Sequence, residues 1–141
     1  MATNDDDPDD IANKHLQLVQ KPESADQQLD IRPESYDAFR IDPQLRPSNL
    51  MLDLWFKNGN QHCLAYNHLY GVELEPSIGM ILTFSQHRVE VEGHHLLELY
   101  NALKRSRVVY IWEADHIEAS QATDDQPVVT RLQVHNLADD N

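Results

Sequence analysis

The chain has 141 residues, with 24 acids against 11 lysines and arginines and a formal net charge of −13. That balance argues against nucleic-acid phosphates as a partner, since they want clustered Lys and Arg, and no apolar run approaches the ~18 residues of a membrane span. The lone cysteine, Cys63, excludes an intrachain disulfide and a Cys-rich zinc site, so the expectation is a soluble, cytoplasmic protein.

Residues 1–48 hold 11 acids, 5 bases and five of the seven prolines. They open on Asp5, Asp6, Asp7, Pro8, Asp9 and Asp10, with no apolar signal core, and their apolar residues are scattered. Such a stretch buries too little surface to offset ~1–2 kcal/mol of backbone entropy per residue. It reads as a mostly disordered acidic arm. Ile11 to Gln20 is its one helical candidate, and Tyr36 to Ile41 is the part suited to lie against a folded domain.

Residues 49–118 carry the apolar mass, including Trp55 and Trp112. Leu50, Leu52, Leu54 and Phe56 alternate with Met51, Asp53, Trp55 and Lys57, the period of a strand with one buried side. Asn58-Gly59 follows and predicts a type I′ hairpin, with positive φ at both central residues. Gln61 to Tyr66 returns as a second strand. Leu69 to Glu75 is a third, with Tyr70, Val72 and Leu74 on one face. Pro76 to Gly79 turns the chain into a fourth strand, Met80 to Ser85, with Met80, Leu82 and Phe84 inward. Arg88 to Glu92 is a fifth, whose charged alternation suggests a protected edge.

After Gly93 the period changes. Leu96, Leu99, Tyr100 and Leu103 form one stripe of a helix of ~12 residues. Val108 to Trp112 is β-branched and aromatic, a last strand. The order β-β-β-β-β-α-β predicts an α+β fold: an antiparallel meander of five to six strands, or a partly closed roll, with one helix packed on it. Residues 119–141 read as a mostly disordered acidic tail, in which 128–134 is a possible extra strand.

No catalytic motif stands out: there is no phosphate-binding glycine loop, no nucleophile elbow and no His-Glu-x-x-His. The alternating pairs Glu73/Glu75 and Glu90/Glu92 fit water-facing halves of strands. Asp53 shares a face with Met51 and Trp55, and a cover over that face demands a partner such as Arg88 or Lys57. Lys104, Arg105 and Arg107 follow the helix, where cations suit its C-terminal dipole. The same cluster is a candidate contact for an anion or for the acidic arm. Met51, Trp55, Tyr110 and Trp112 fall on a second sheet face that one helix cannot also cover, so they are the candidate interaction surface.

The composition thus favours a non-catalytic protein-interaction or self-association module, with a protein partner or a second copy, and with no cofactor, nucleic acid or membrane. An alternative is transition-metal binding through His62, Cys63, His68 and His116, since imidazole and thiolate are good ligands. A further alternative is a small enzyme without a recognisable motif.

Overall fold

A computed structural model of the chain describes residues 32–43 and 51–140. The chain divides into two units, Met1–Arg32 and Pro33–Asn141, and all the elements named below belong to the second. Asp5 to Asp10, Ile11 to Gln20 and Leu50 lie outside the described residues.

Eight strands and two short helices are described. The strands are β1 (Phe39–Ile41), β2 (Met51–Trp55), β3 (Gln61–Ala65), β4 (Leu69–Glu75), β5 (Gly79–Phe84), β6 (His87–His94), β7 (Val108–Trp112) and β8 (Val128–Asn136). Helix α1 (Leu97–Leu103) lies between β6 and β7, and α2 (His116–Gln121) between β7 and β8. The fold is α+β, as the alternation and its change of period imply. The sheet, however, is split in two, with strand orders β1-β7-β2-β3 and β4-β5-β6-β8. The expected meander survives as β4-β5-β6, antiparallel throughout. It ends at β3, because a 3-10 turn over Tyr66–His68 carries the chain from one sheet to the other. β7 then returns to the first sheet, parallel to β2 and antiparallel to β1.

The β2–β3 hairpin closes differently from the expected type I′ turn. The Gly59 N–H donates to the Phe56 carbonyl at 2.9 Å, and the Phe56 N–H donates to the Asn60 carbonyl at 2.9 Å. Gly59 has φ +95° and Asn58 is not in the left-handed region. This is a three-residue loop that needs one permissive corner, which the glycine supplies.

Leu52 and Leu54 face Leu82, Phe84, Val89 and Val91 across the core, and Leu99 and Leu103 of α1 join them. Each fully buried side chain of this size contributes ~1.5–3 kcal/mol. α1 is shorter than its stripe predicts. His95 at φ +61° delays its start and Ser106 at φ +56° turns the chain after its end.

Three bulges decide which faces the strands present. Arg40 opposes Tyr110 while Ile41 opposes Val108, so Val109 is an extra residue. Val108 and Ile111 therefore both reach the core, and Tyr110 and Trp112 go to the opposite face. In β4, Leu69 opposes Phe84 and Gly71 opposes Thr83, which makes Tyr70 the extra residue and turns it to solvent. Leu69, not Tyr70, is the partner of Val72 and Leu74 on the core face. Thr130 is the third, where Glu92 opposes Arg131 and Gly93 opposes Val129. A Cβ at Gly93 would collide with the Val128 carbonyl oxygen, so the strands reach this spacing only with glycine there.

β6 is not an edge. β8 pairs with it from His87↔Asn136 to His94↔Val128. Of residues 119–141, expected as a mostly disordered tail with 128–134 as a possible extra strand, that strand is present and extends over Val128–Asn136, and the tail also supplies the end of α2. Within the expected arm over 1–48, the Tyr36 to Ile41 stretch lies against the domain: Ala38 and Phe39 are buried and β1 pairs with β7, and Asp42 just beyond it is buried as well.

Two polar side chains clip the sheets together. Glu113, 6 % exposed, directly follows β7. Its Oε1 accepts from the Lys57 N–H beyond β2 at 3.0 Å, and its Oε2 accepts from the Leu132 N–H of β8 at 3.1 Å. The Tyr36 hydroxyl donates to the Trp112 carbonyl at 2.8 Å and accepts from the Val129 N–H at 2.9 Å. Both satisfy strand-edge groups that would otherwise lack partners.

Candidate functional site

The outer face of the second sheet places exposed apolar side chains among charged ones. Antiparallel register puts Glu73, Ile81 and Glu90 in one row, and Glu75, Gly79 and Glu92 in the next. Because strands lie ~4.8 Å apart, the outer acids of each row are separated by roughly 10 Å at the backbone. Gly79 has no side chain, so the second row has a notch between Glu75 and Glu92. The β5–β6 ladder runs one position further at this end, where the Gly93 N–H donates to the Ile78 carbonyl at 3.3 Å. The result is a cleft of about 390 Å³ lined by Glu73, Glu75, Ile78, Ile81, Glu90 and Glu92. Ile78 is 58 % exposed and Ile81 38 % exposed, and both sit among these carboxylates.

The four acids are not equivalent. Glu90 faces Arg88 at 3.6 Å and His135 at 3.3 Å, and Glu92 faces Arg131 at 3.7 Å. These pairs are partly exposed and individually weak. Glu73 and Glu75 make no ion pair among the described residues. The cleft therefore combines uncompensated negative charge with exposed aliphatic surface. Such a surface suits a side chain that is itself part apolar and part cationic, as lysine and arginine are.

The proposed aromatic surface has a different fate. Trp55, Tyr110 and Trp112 are buried, and only Met51 of that group is exposed. The Trp55 and Tyr110 rings stack with centroids 3.9 Å apart and planes 10° from parallel. Trp112 meets Trp55 edge-on at 5.7 Å and Tyr36 at 5.1 Å. The insertion of β7 between β1 and β2 is the cause, since it brings Trp55 and Arg40 to opposite sides of Tyr110. The Arg40 guanidinium stands 5.7 Å from that ring. Burial raises the Tyr110 hydroxyl above its ordinary pKa, reinforced by the Asp37 charge and opposed by Arg40. Burial likewise raises the Asp37 carboxyl, opposed by Arg40.

The residues of the metal alternative do not converge. His62 and Cys63 are neighbours on β3 and point to opposite faces. The His62 ring instead meets His87 edge-on at 5.5 Å. His68 approaches the Ser85 hydroxyl, Nδ1 to Oγ 3.2 Å. His116 opens α2 behind the Asp115 cap, where Asp115 and Glu118 form a reciprocal capping box. Among the described residues, no group of three or more His, Cys, Asp or Glu side chains is arranged to hold a metal ion.

Lys104 and Arg105 are exposed at the end of α1, and the Lys104 ammonium lies 4.8 Å from the Tyr100 ring centre. Arg107 has turned away, and its carbonyl accepts from the buried Asp42 N–H at 2.7 Å. Asp53 is half-buried opposite Cys63 and Tyr110, and neither of its expected partners reaches it. Arg88 is paired with Glu90 on the other sheet.

The sequence reading missed three things here. Glu73 and Glu75 are exposed, as water-facing alternation implies, but that pattern does not show Ile81 standing among the four acids with the same strand parity. Glu113 was overlooked, although an acid directly after Val108 to Trp112 is an unusual neighbour for a fully apolar strand. Tyr36 opens the stretch expected against the folded domain, but nothing local signals the two backbone partners of its hydroxyl. Compared with protein-family models, with curated proteins and with solved structures, the chain matches none. Among the described residues, no helix is long and apolar enough to cross a membrane.

Proposed function

We propose that this chain is a non-catalytic protein-binding module of the cytoplasm, and that its docking place is the cleft on the outer face of the second sheet. The observation that carries the reading is the exposure of Ile78 and Ile81 beside Glu73 and Glu75, two acids without a cation among the described residues. Exposed apolar surface rimmed by charge is the usual mark of a recognition patch. The partner it suits is a protein segment with basic and aliphatic side chains. A nucleic acid would bring phosphates against the same carboxylates and be repelled. A second copy would bring a further set of acids, on a chain already at −13.

The test is the affinity of the full chain for a labelled peptide of alternating lysine and valine, against an alternating glutamate and valine control. The lysine peptide is expected to bind, to weaken with rising salt, and to weaken at least ~tenfold, about 1.4 kcal/mol, in the double variant Glu73→Lys/Glu75→Lys. Equal binding of both peptides, or no change in the double variant, contradicts the proposal.

A further inference from the structure

We infer that the partner segment binds in extended form, as a fifth strand added to the open edge of β4. This rests on the reading of the cleft above and specifies how its occupant is held.

The two sheets have four edges: β1, β3, β4 and β8. An exposed edge presents unpaired N–H and C=O groups and is a template for another strand unless it is blocked. β1 is three residues long and its pairing is interrupted by a bulge. β8 is closed along its first half, where Tyr36 accepts from the Val129 N–H, Glu113 accepts from the Leu132 N–H and the Val129 carbonyl accepts from Ala114. β3 offers five residues with no charged side chain other than histidine.

β4 differs from all three. It runs seven residues and contains no proline and no lysine, and beyond its pairing with β5 only its two ends are engaged: the Leu69 N–H donates to the Tyr66 carbonyl and the Glu75 carbonyl accepts from the Ile78 N–H at 2.9 Å. Val72 and Leu74 are only partly buried on its core side. α1 runs beside it in the opposite direction, with Leu97 near Leu74 and Lys104 near Leu69 to Val72, and a hollow lies between strand and helix at each end. An edge strand flanked by a helix is a geometry in which an added strand gains main-chain hydrogen bonds on one side and side-chain contacts on the other.

Charge selects the occupant. On β4 the only charged side chains are Glu73 and Glu75, both on the outer face beside the cleft. Self-pairing of two β4 edges would place both copies' acids on one strip, which disfavours a second copy. An added strand of alternating character meets no such penalty. Its basic side chains lie over the cleft beside Glu73 and Glu75, and its apolar side chains lie toward Val72 and Leu74. Lys104 stands at the far end of the strand, so the basic positions fall at the Glu73–Glu75 half.

The experiment uses the full chain and the alternating lysine–valine peptide, unmodified and N-methylated at every second amide in each of the two phases. N-methylation removes donors from one edge of the peptide and leaves its charge unchanged. Strand addition predicts that one phase loses at least ~tenfold in affinity and the other binds like the unmodified peptide. Amide exchange in β4 is also expected to slow on binding. If both methylated peptides bind as well as the parent, the strand-addition inference is overturned while the cleft reading stands. If the unmodified peptide does not bind, both are overturned. A peptide-induced dimer of the chain in sedimentation would also overturn it in favour of self-pairing.

Discussion

Replacing Glu113 removes a carboxylate that accepts from one backbone N–H in each sheet's neighbourhood, Lys57 beyond β2 and Leu132 within β8. Hydrogen bonds to a charged acceptor are worth ~1.5–3 kcal/mol net, and a buried donor left without a partner costs ~1–3 kcal/mol. Leu132 is buried, so its N–H bears the full penalty, whereas Lys57 is exposed and water can replace the lost oxygen there. Glu113→Ala is therefore expected to cost about 3 kcal/mol, a large share of a total stability of ~5–15 kcal/mol. Glu113→Gln is the sharper variant. It keeps the shape and one accepting oxygen but turns an NH₂ donor toward the second N–H, and is expected to cost ~1.5–3 kcal/mol. Urea unfolding followed by Trp55 and Trp112 fluorescence measures both, with the denaturant slope as a check that the transition is unchanged. Amide exchange at Leu132 is expected to accelerate more than exchange at the β5–β6 ladder. A Gln variant within ~0.5 kcal/mol of the parent would refute the view that this carboxylate clips the sheets.

Tyr36→Phe removes the second clip, a donor to Trp112 and an acceptor for Val129, and is expected to destabilise the chain by ~1–3 kcal/mol in the same assay. Burial raises the pKa of Tyr36, Tyr66 and Tyr110 above the ordinary value of 10.0. Their folded forms hold protons that the unfolded chain gives up, so stability is full below about pH 10 and declines as pH rises beyond it. Phenolate absorbance should show these phenols ionising together with unfolding; ionisation of all five tyrosines while tryptophan fluorescence stays native contradicts this. Gly93→Ala forces a Cβ against the Val128 carbonyl and is expected to cost ~1–3 kcal/mol or more. Gly71→Ala meets open space and should be neutral or stabilising by up to ~1 kcal/mol in thermal unfolding, so similar losses in the two variants would contradict the register described here.

The strands read from alternation, β2 to β6, and the apolar stripe of α1 were legible because one face of each is buried and local period reports that directly. Their partners were not legible. The pairing of β2 with β7 joins residues more than fifty positions apart, and nothing in Met51 to Trp55 encodes a parallel neighbour. β1 is three residues between prolines 33 and 43, too short for a period. α2 carried a signal that went unused: Asp115 and Glu118 stand at the spacing of a capping box. The bulges at Tyr70 and Val109 each shift a strand by one residue, and one residue exchanges the faces. That single step explains why Tyr70 is outside and why Val108 and Ile111 both reach the core; the burial of the Trp55–Tyr110 stack comes instead from the placement of β7 between β1 and β2. The site followed the same logic. Ile81 lies between Glu73 and Glu90 only once β4, β5 and β6 are in register, so the cleft is a property of pairing and no single strand shows it.

The most direct measurement is an amide chemical-shift map of the isotope-labelled full chain titrated with the alternating lysine–valine peptide. Shifts concentrated on β4 and on Ile78, Ile81, Glu90 and Glu92 are the predicted result. Shifts confined to β3, or to the ends of β2 and β7 around Trp55 and Trp112, would place recognition on the other sheet and contradict the account.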